Sequence, residues 1–167
     1  VTTVSGEALE IARAGYVQEI VQASPSVTYN RTAGMRGDGI YIRGIGTSLF
    51  QSGVEPTVSA VLDGVVLGRT YNFLTNLVDI ERIEILRGPQ GTLFGRNSTS
   101  GAVNVISARP KFGDEMTGRM GVRLSVDGRN MNEVDGFLNI PVSDEIAFRA
   151  SFKSSLADSF INQTVDR

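Results

Sequence analysis

The segment Asp79–Pro110, DIERIEILRGPQGTLFGRNSTSGAVNVISARP, constrains this chain more than any other. Glu81, Arg82, Glu84 and Arg87 alternate with Ile80, Ile83, Ile85 and Leu86 until Gly88-Pro89 stops the run. Such a strand sets an apolar face on a core and a row of charges on the other side. Gly91, Gly95 and Gly101 allow close backbone turns that a Cβ resists. Val103, Val105 and Ile106 rebuild a strand, which Pro110 ends. The segment therefore predicts a strand pair joined by a glycine-punctuated polar loop.

Composition narrows the chemistry. The chain has 167 residues, 41% of them apolar, and a net charge of −2, so nothing pulls it globally towards nucleic acid. Cysteine and histidine are both absent. That excludes disulfide scaffolds, thiolate zinc sites and nucleophiles or general bases built on Cys or His. No run reaches the ~20 apolar residues of a transmembrane helix, and Val1 opens no signal-peptide pattern. A chain without an initial Met reads as a processed or cut piece, and any membrane crossing must use strands.

The first part reads as mixed α/β. Ser5 is a candidate N-cap for a helix over Gly6–Ala14, and a second helix is expected over Tyr16–Gln22. Strands are expected over Val27–Asn30, Ile40–Gly44, Val58–Leu62, Ile80–Leu86 and Ala102–Ser107, with loops over Thr47–Pro56 and Gly68–Asn76. After Pro110 the pattern becomes pure alternation. Met120, Val122, Leu124, Leu138, Ile140, Ile146, Phe148 and Phe152 fall on one face of three strands, over Gly118–Asp127, Val134–Pro141 and Ile146–Ser155. Arg119, Arg123, Asp135, Asn139, Arg149 and Lys153 fall on the other. Strands of about ten residues with one apolar and one polar face are what the wall of an outer-membrane barrel needs.

Two catalytic readings fail on the residues. Gly44-Ile45-Gly46 begins a dinucleotide loop, but Leu49 stands where its third glycine belongs. Asp79, Glu81 and Glu84 could form a hydrolytic carboxylate pair, yet Arg82 between them makes structural ion pairing the better account. The chain is not expected to be an enzyme.

Three segments in order carry a resemblance to the plug domain of TonB-dependent outer-membrane receptors. They are Ile40-Tyr41-Ile42-Arg43-Gly44-Ile45-Gly46, Val58–Val65 with its Asp63-Gly64 ending, and the Asp79–Pro110 segment itself. The resemblance implies an α/β plug with a small mixed sheet over residues 1–113, followed over 114–167 by the first three antiparallel transmembrane strands of an incomplete β-barrel. It implies TonB-dependent uptake of a scarce nutrient, a ferric siderophore or similar small ligand, across the outer membrane of a Gram-negative bacterium. No cofactor and no metal site are implied. The partners implied are TonB, through an N-terminal box expected just before Val1, and outer-membrane lipid. In the family, arginines at the positions of Arg43 and Arg87 lock the plug to glutamates of the inner barrel wall. The apical plug loops of the family contact substrate, which makes Phe50, Gln51, Arg69, Tyr71, Asn72 and Phe73 the candidate contacts. A soluble periplasmic or extracellular ligand-binding module is the alternative that alternation alone leaves open.

Overall fold

Eleven strands account for most of the computed structural model, which describes residues 1–11, 24, 26–30, 39–48, 55–67, 78–113, 115–124 and 131–157. Contacts divide the chain into two units, Val1–Ala108 and Arg109–Arg167.

The first unit opens with β1 (Thr2–Ser5) and α1 (Gly6–Ile11). Ser5 caps the helix as the sequence predicts, its Oγ accepting the Ala8 N–H at 3.2 Å. The helix expected over Tyr16–Gln22 lies outside the described residues. Then come β2 (Val27–Asn30), β3 (Gly39–Ile42), β4 (Ile45–Ser48), β5 (Val58–Leu62), β6 (Val65–Leu67) and β7 (Ile80–Arg87). A four-residue helix, α2 (Gly91–Phe94), precedes β8 (Gly101–Ser107). One sheet runs β1-β7-β8-β5-β6, antiparallel except for the β5–β8 pair, and a second runs β2-β3-β4. Both feed one core: Ile83, Ile85, Val103, Val105, Val58 and Ala60 from the first sheet meet Val27, Ile40 and Ile42 from the second. Each of the valines and isoleucines among them, removed from water, contributes about 1.5–3 kcal/mol.

The sequence places turns at Arg43-Gly44 and Asp63-Gly64, but the strands that return from them were not read from it. The strand expected over Ile40–Gly44 ends at Ile42, because Arg43 (φ 54°) and Gly44 (φ 77°) both take left-handed conformations and return the chain as β4. Asp63 (φ 49°) and Gly64 (φ 85°) do the same between β5 and β6. Positive φ at both central residues is the I′ geometry that matches the twist of the strands it joins. Thr47 and Ser48, expected in a loop, therefore belong to β4.

In β7 a bulge falls between Ile80 and Arg82. Strict alternation puts Glu81 and Arg82 on opposite faces, but a bulge re-aims side chains, and Arg82 pairs with both neighbouring glutamates. Its Nε donates to Glu84 Oε1 at 2.8 Å, and Asn104 Nδ2 donates to Glu84 Oε2 at 3.0 Å. The carboxylates are thus committed to ion pairing. The Arg82 hydrogen bond, and then that of Asn104, hold Glu84 below its ordinary carboxylate range.

The second unit is an antiparallel meander of β9 (Thr117–Leu124), β10 (Met131–Pro141) and β11 (Ala147–Ala157), with β10 central. Its register aligns Met120, Gly136 and Phe152 in one row, and Val122, Val134 and Ser154 in the next. Val142 and Ser143 donate their N–H groups to the Ile146 carbonyl and close a tight turn between β10 and β11.

Two outcomes follow for the first unit. A Cβ on Gly101 would lie 2.2 Å from the Leu86 carbonyl oxygen and 2.7 Å from Ile42 Cδ1. Gly101→Ala should therefore destabilise the β7–β8 pair by about 1–3 kcal/mol, seen as faster amide exchange along both strands. Glu84 has a lowered folded value, so its stabilisation is complete above the ordinary value of 4.5 and is lost as pH falls below it. An acid titration of unfolding should lose part of its slope below that pH in Glu84→Gln, and an unchanged slope would contradict the assignment.

Candidate functional site

The two arginines expected to matter come from different sheets and converge on one short segment. Arg43 occupies the first position of the β3–β4 turn, where its side chain is exposed and its backbone N–H donates to the Ser26 carbonyl at 2.9 Å. Arg87 ends β7 on the same face as the buried Ile83 and Ile85, so its guanidinium continues the core-side row. Its Nη2 donates to the hydroxyl of Thr2 and, at 3.3 Å, to Ser24 Oγ. Arg87 Nε is buried and has no acceptor among the described residues. Ser26 Oγ and Ser100 Oγ are likewise buried without partners. A guanidinium carries five donors and no acceptor, so Arg87 Nε can be satisfied only by an acceptor.

Neither Thr2 nor Ser24 was legible as a partner. Each is a short hydroxyl residue far from Arg87 in sequence, brought there by β1–β7 pairing and by the turn before β2. The six loop candidates, Phe50, Gln51, Arg69, Tyr71, Asn72 and Phe73, lie outside the described residues. Asp63 has a further role that its turn position conceals. Its carboxylate accepts from Ser107 N at 2.9 Å and from Ser107 Oγ at 2.7 Å, fastening the end of β8.

The three-stranded sheet has two faces of opposite chemistry. Met120 is 71% exposed, Phe148 63% and Leu156 72%, and they share their face with Val122, Leu124, Leu138, Ile140 and Phe152. On the other face Glu133 is buried between Arg123 (2.9 Å) and Lys153 (3.1 Å), and Arg119 pairs with Asp135 at 3.1 Å. The Arg149 guanidinium lies 4.0 Å from the Phe137 ring centroid. On that polar face Asn139 accepts the Lys111 N–H at 2.8 Å and donates to the Lys111 carbonyl at 2.9 Å. A side-chain amide here imitates a strand neighbour and fixes the segment entering β9. Such a sheet suits a wall with lipid on one side and a polar lumen on the other. Among the described residues no helix is long and apolar enough to cross a membrane, and no cluster of acidic residues could hold a metal ion.

Comparison with known proteins agrees with both faces of this description. The family model of the TonB-dependent Receptor Plug Domain matches residues 1–102. The pesticin receptor of Yersinia pestis is 27% identical over 147 residues, covering 88% of this chain and 21% of that protein. The ferric enterobactin receptor PirA of Pseudomonas aeruginosa is 31% identical over 159 residues, covering 86% of this chain and 21% of its own. The chain thus spans about a fifth of the length of these relatives. Among solved structures, the pyoverdine outer membrane receptor FpvA from Pseudomonas aeruginosa superposes with a TM-score of 0.74 at 18% identity, covering 96% of this chain and 22% of that one, which speaks for the fold. A plug sheet and a two-faced meander in one chain, in that order and with those relatives, mean that the chain belongs to the TonB-dependent receptors of the outer membrane.

Proposed function

We propose that the receptor containing this chain takes up a ferric siderophore across the outer membrane, driven by TonB. The observation that carries this reading is the union of a matched plug with strands that are apolar on one face and charged on the other. Relatives named for ferric ligands support the substrate class. In this reading residues 1–113 gate the pore, and residues 114–167 begin a barrel whose apolar face meets outer-membrane lipid. The outer membrane holds no ion gradient or ATP supply of its own, so the work must come through the periplasm. TonB delivers it through a box on the N-terminal side of the plug. The loops bearing Phe50, Gln51, Arg69, Tyr71, Asn72 and Phe73 offer stacking faces and hydrogen bonds to a bound chelate.

Arg43 and Arg87 lock the plug against carboxylates of the inner barrel wall. For Arg87 the support is its buried Nε, a cationic donor that still lacks an acceptor among the described residues. A carboxylate can pair with a guanidinium in a bidentate fork, and removing one partner of a buried ion pair costs about 3–5 kcal/mol.

Uptake of radioiron supplied as ferric enterobactin or ferric pyoverdine tests the transport reading. Cells expressing the full receptor should import at least one of the two, and deleting either the receptor or TonB should abolish it. Import that persists without TonB would contradict the reading. For the lock, Arg43→Ala and Arg87→Ala should raise outer-membrane permeability to a large antibiotic at matched receptor abundance. Lys at either position should restore only part of the barrier, because an ammonium cannot form the fork. Equal permeability in all variants would leave these arginines as strand-end charges.

A further inference from the structure

We infer that Thr2 is a positioning residue for Arg87, so that the N-terminal strand and the lock arginine form a single latch; the inference rests on the transport reading above. Thr2 stands opposite Ile85 in the β1–β7 ladder. Arg87 lies two residues further along β7 on the same face, the diagonal position that a long side chain can reach. It does reach: Arg87 Nη2 donates to the Thr2 hydroxyl. The same nitrogen's other partner is Ser24 Oγ, at the longer distance of 3.3 Å. Because Arg87 Nε is already without an acceptor, the Thr2 hydroxyl carries a large share of the guanidinium's hydrogen bonding within the described residues.

The position of β1 gives this bond its mechanical meaning. β1 is the outermost strand of its sheet, and β7 is its one neighbour there. Four residue pairs hold it, Thr2↔Ile85 to Ser5↔Arg82. An edge strand can peel away without breaking any other ladder. Traction from the N-terminal side loads Thr2 first among these pairs. Once Thr2 leaves, Arg87 loses a hydroxyl that fixes its rotamer, and its seat against a wall carboxylate loosens. Traction on the strand thereby reaches Arg87 through one side-chain bond.

The test is single-molecule pulling on the full receptor in a bilayer, through a handle on its N-terminal side. Thr2→Val keeps the shape of the side chain and deletes the hydroxyl, while Thr2→Ser keeps the hydroxyl. Thr2→Val should lower the force of the first rupture, and Thr2→Ser should restore it. Arg87→Ala should lower it by a similar amount, and Thr2→Val combined with Arg87→Ala should lower it no further, as expected for two ends of one bond. Without load, amide exchange in β1 should be about ten- to a hundredfold faster in Thr2→Val, the range expected for a lost hydrogen bond to a charged group. Exchange at Val105 in the core should stay slow, showing that the plug remains folded. A wild-type rupture force in Thr2→Val, or effects that simply add in the double variant, would overturn the latch. Uptake by the wild-type receptor is measured separately, so failure of the latch leaves the transport reading standing.

Discussion

A bilayer offers no hydrogen bonds, and in the proposed reading that constraint governs β9, β10 and β11. Each backbone N–H and C=O in the hydrocarbon layer must find a partner in a neighbouring strand. β10 meets the demand on both sides through its ladders to β9 and β11. β9 and β11 are the outer strands of the meander, so each needs a further neighbour before it can face lipid. The apolar row of Met120, Val122, Leu138, Ile140, Phe148 and Phe152 states the environment, and the ladder states the condition for entering it. The pesticin receptor and PirA, of which this chain spans about a fifth, are long enough to hold such neighbours.

The opposite face follows a different rule. Glu133 is almost fully buried, and a buried carboxylate needs cations and donors around it. Arg123 and Lys153 supply them from the two flanking strands, so the charge is shared across all three. Asn139 performs a related task without charge, satisfying both backbone groups of Lys111 and itself at once. The polar face is therefore internally compensated at its centre. Exposed apolar side chains on one side and compensated charge on the other suit the sheet to a wall, where a soluble meander would bury its apolar side on a core.

Much of this was legible in the sequence, for reasons that can be named. β7, β8 and the meander carry long alternations or β-branched runs bounded by Gly or Pro, and the three plug-like segments fixed the family. β6 escaped notice because Val65-Val66-Leu67 is too short to show a period, and β4 because Thr47 and Ser48 open a stretch rich in Ser and Gly that reads as a loop. A signal for β6 was nonetheless present: Asp63-Gly64 between apolar runs is a hairpin signature. At Arg43-Gly44 the glycine marked a turn, but the left-handed arginine, which costs about 1–2 kcal/mol, was not expected. The pairing of Arg82 with Glu81 depended on a bulge, which alternation cannot foresee. The partners of Arg87, 85 and 63 positions away, are products of the tertiary fold.

In the proposed reading β9–β11 stand in a membrane with one face to lipid and the other to a polar lumen. Spin labels placed singly along the three strands of the full receptor in bilayers test it directly, by accessibility to oxygen and to a water-soluble nickel chelate. The account predicts a period of two. Labels at 120, 122, 138, 140, 148 and 152 should be open to oxygen and closed to nickel, while those at 119, 135 and 153 should not share that signature. Uniform exposure to the nickel chelate, or accessibility without alternation, would contradict it.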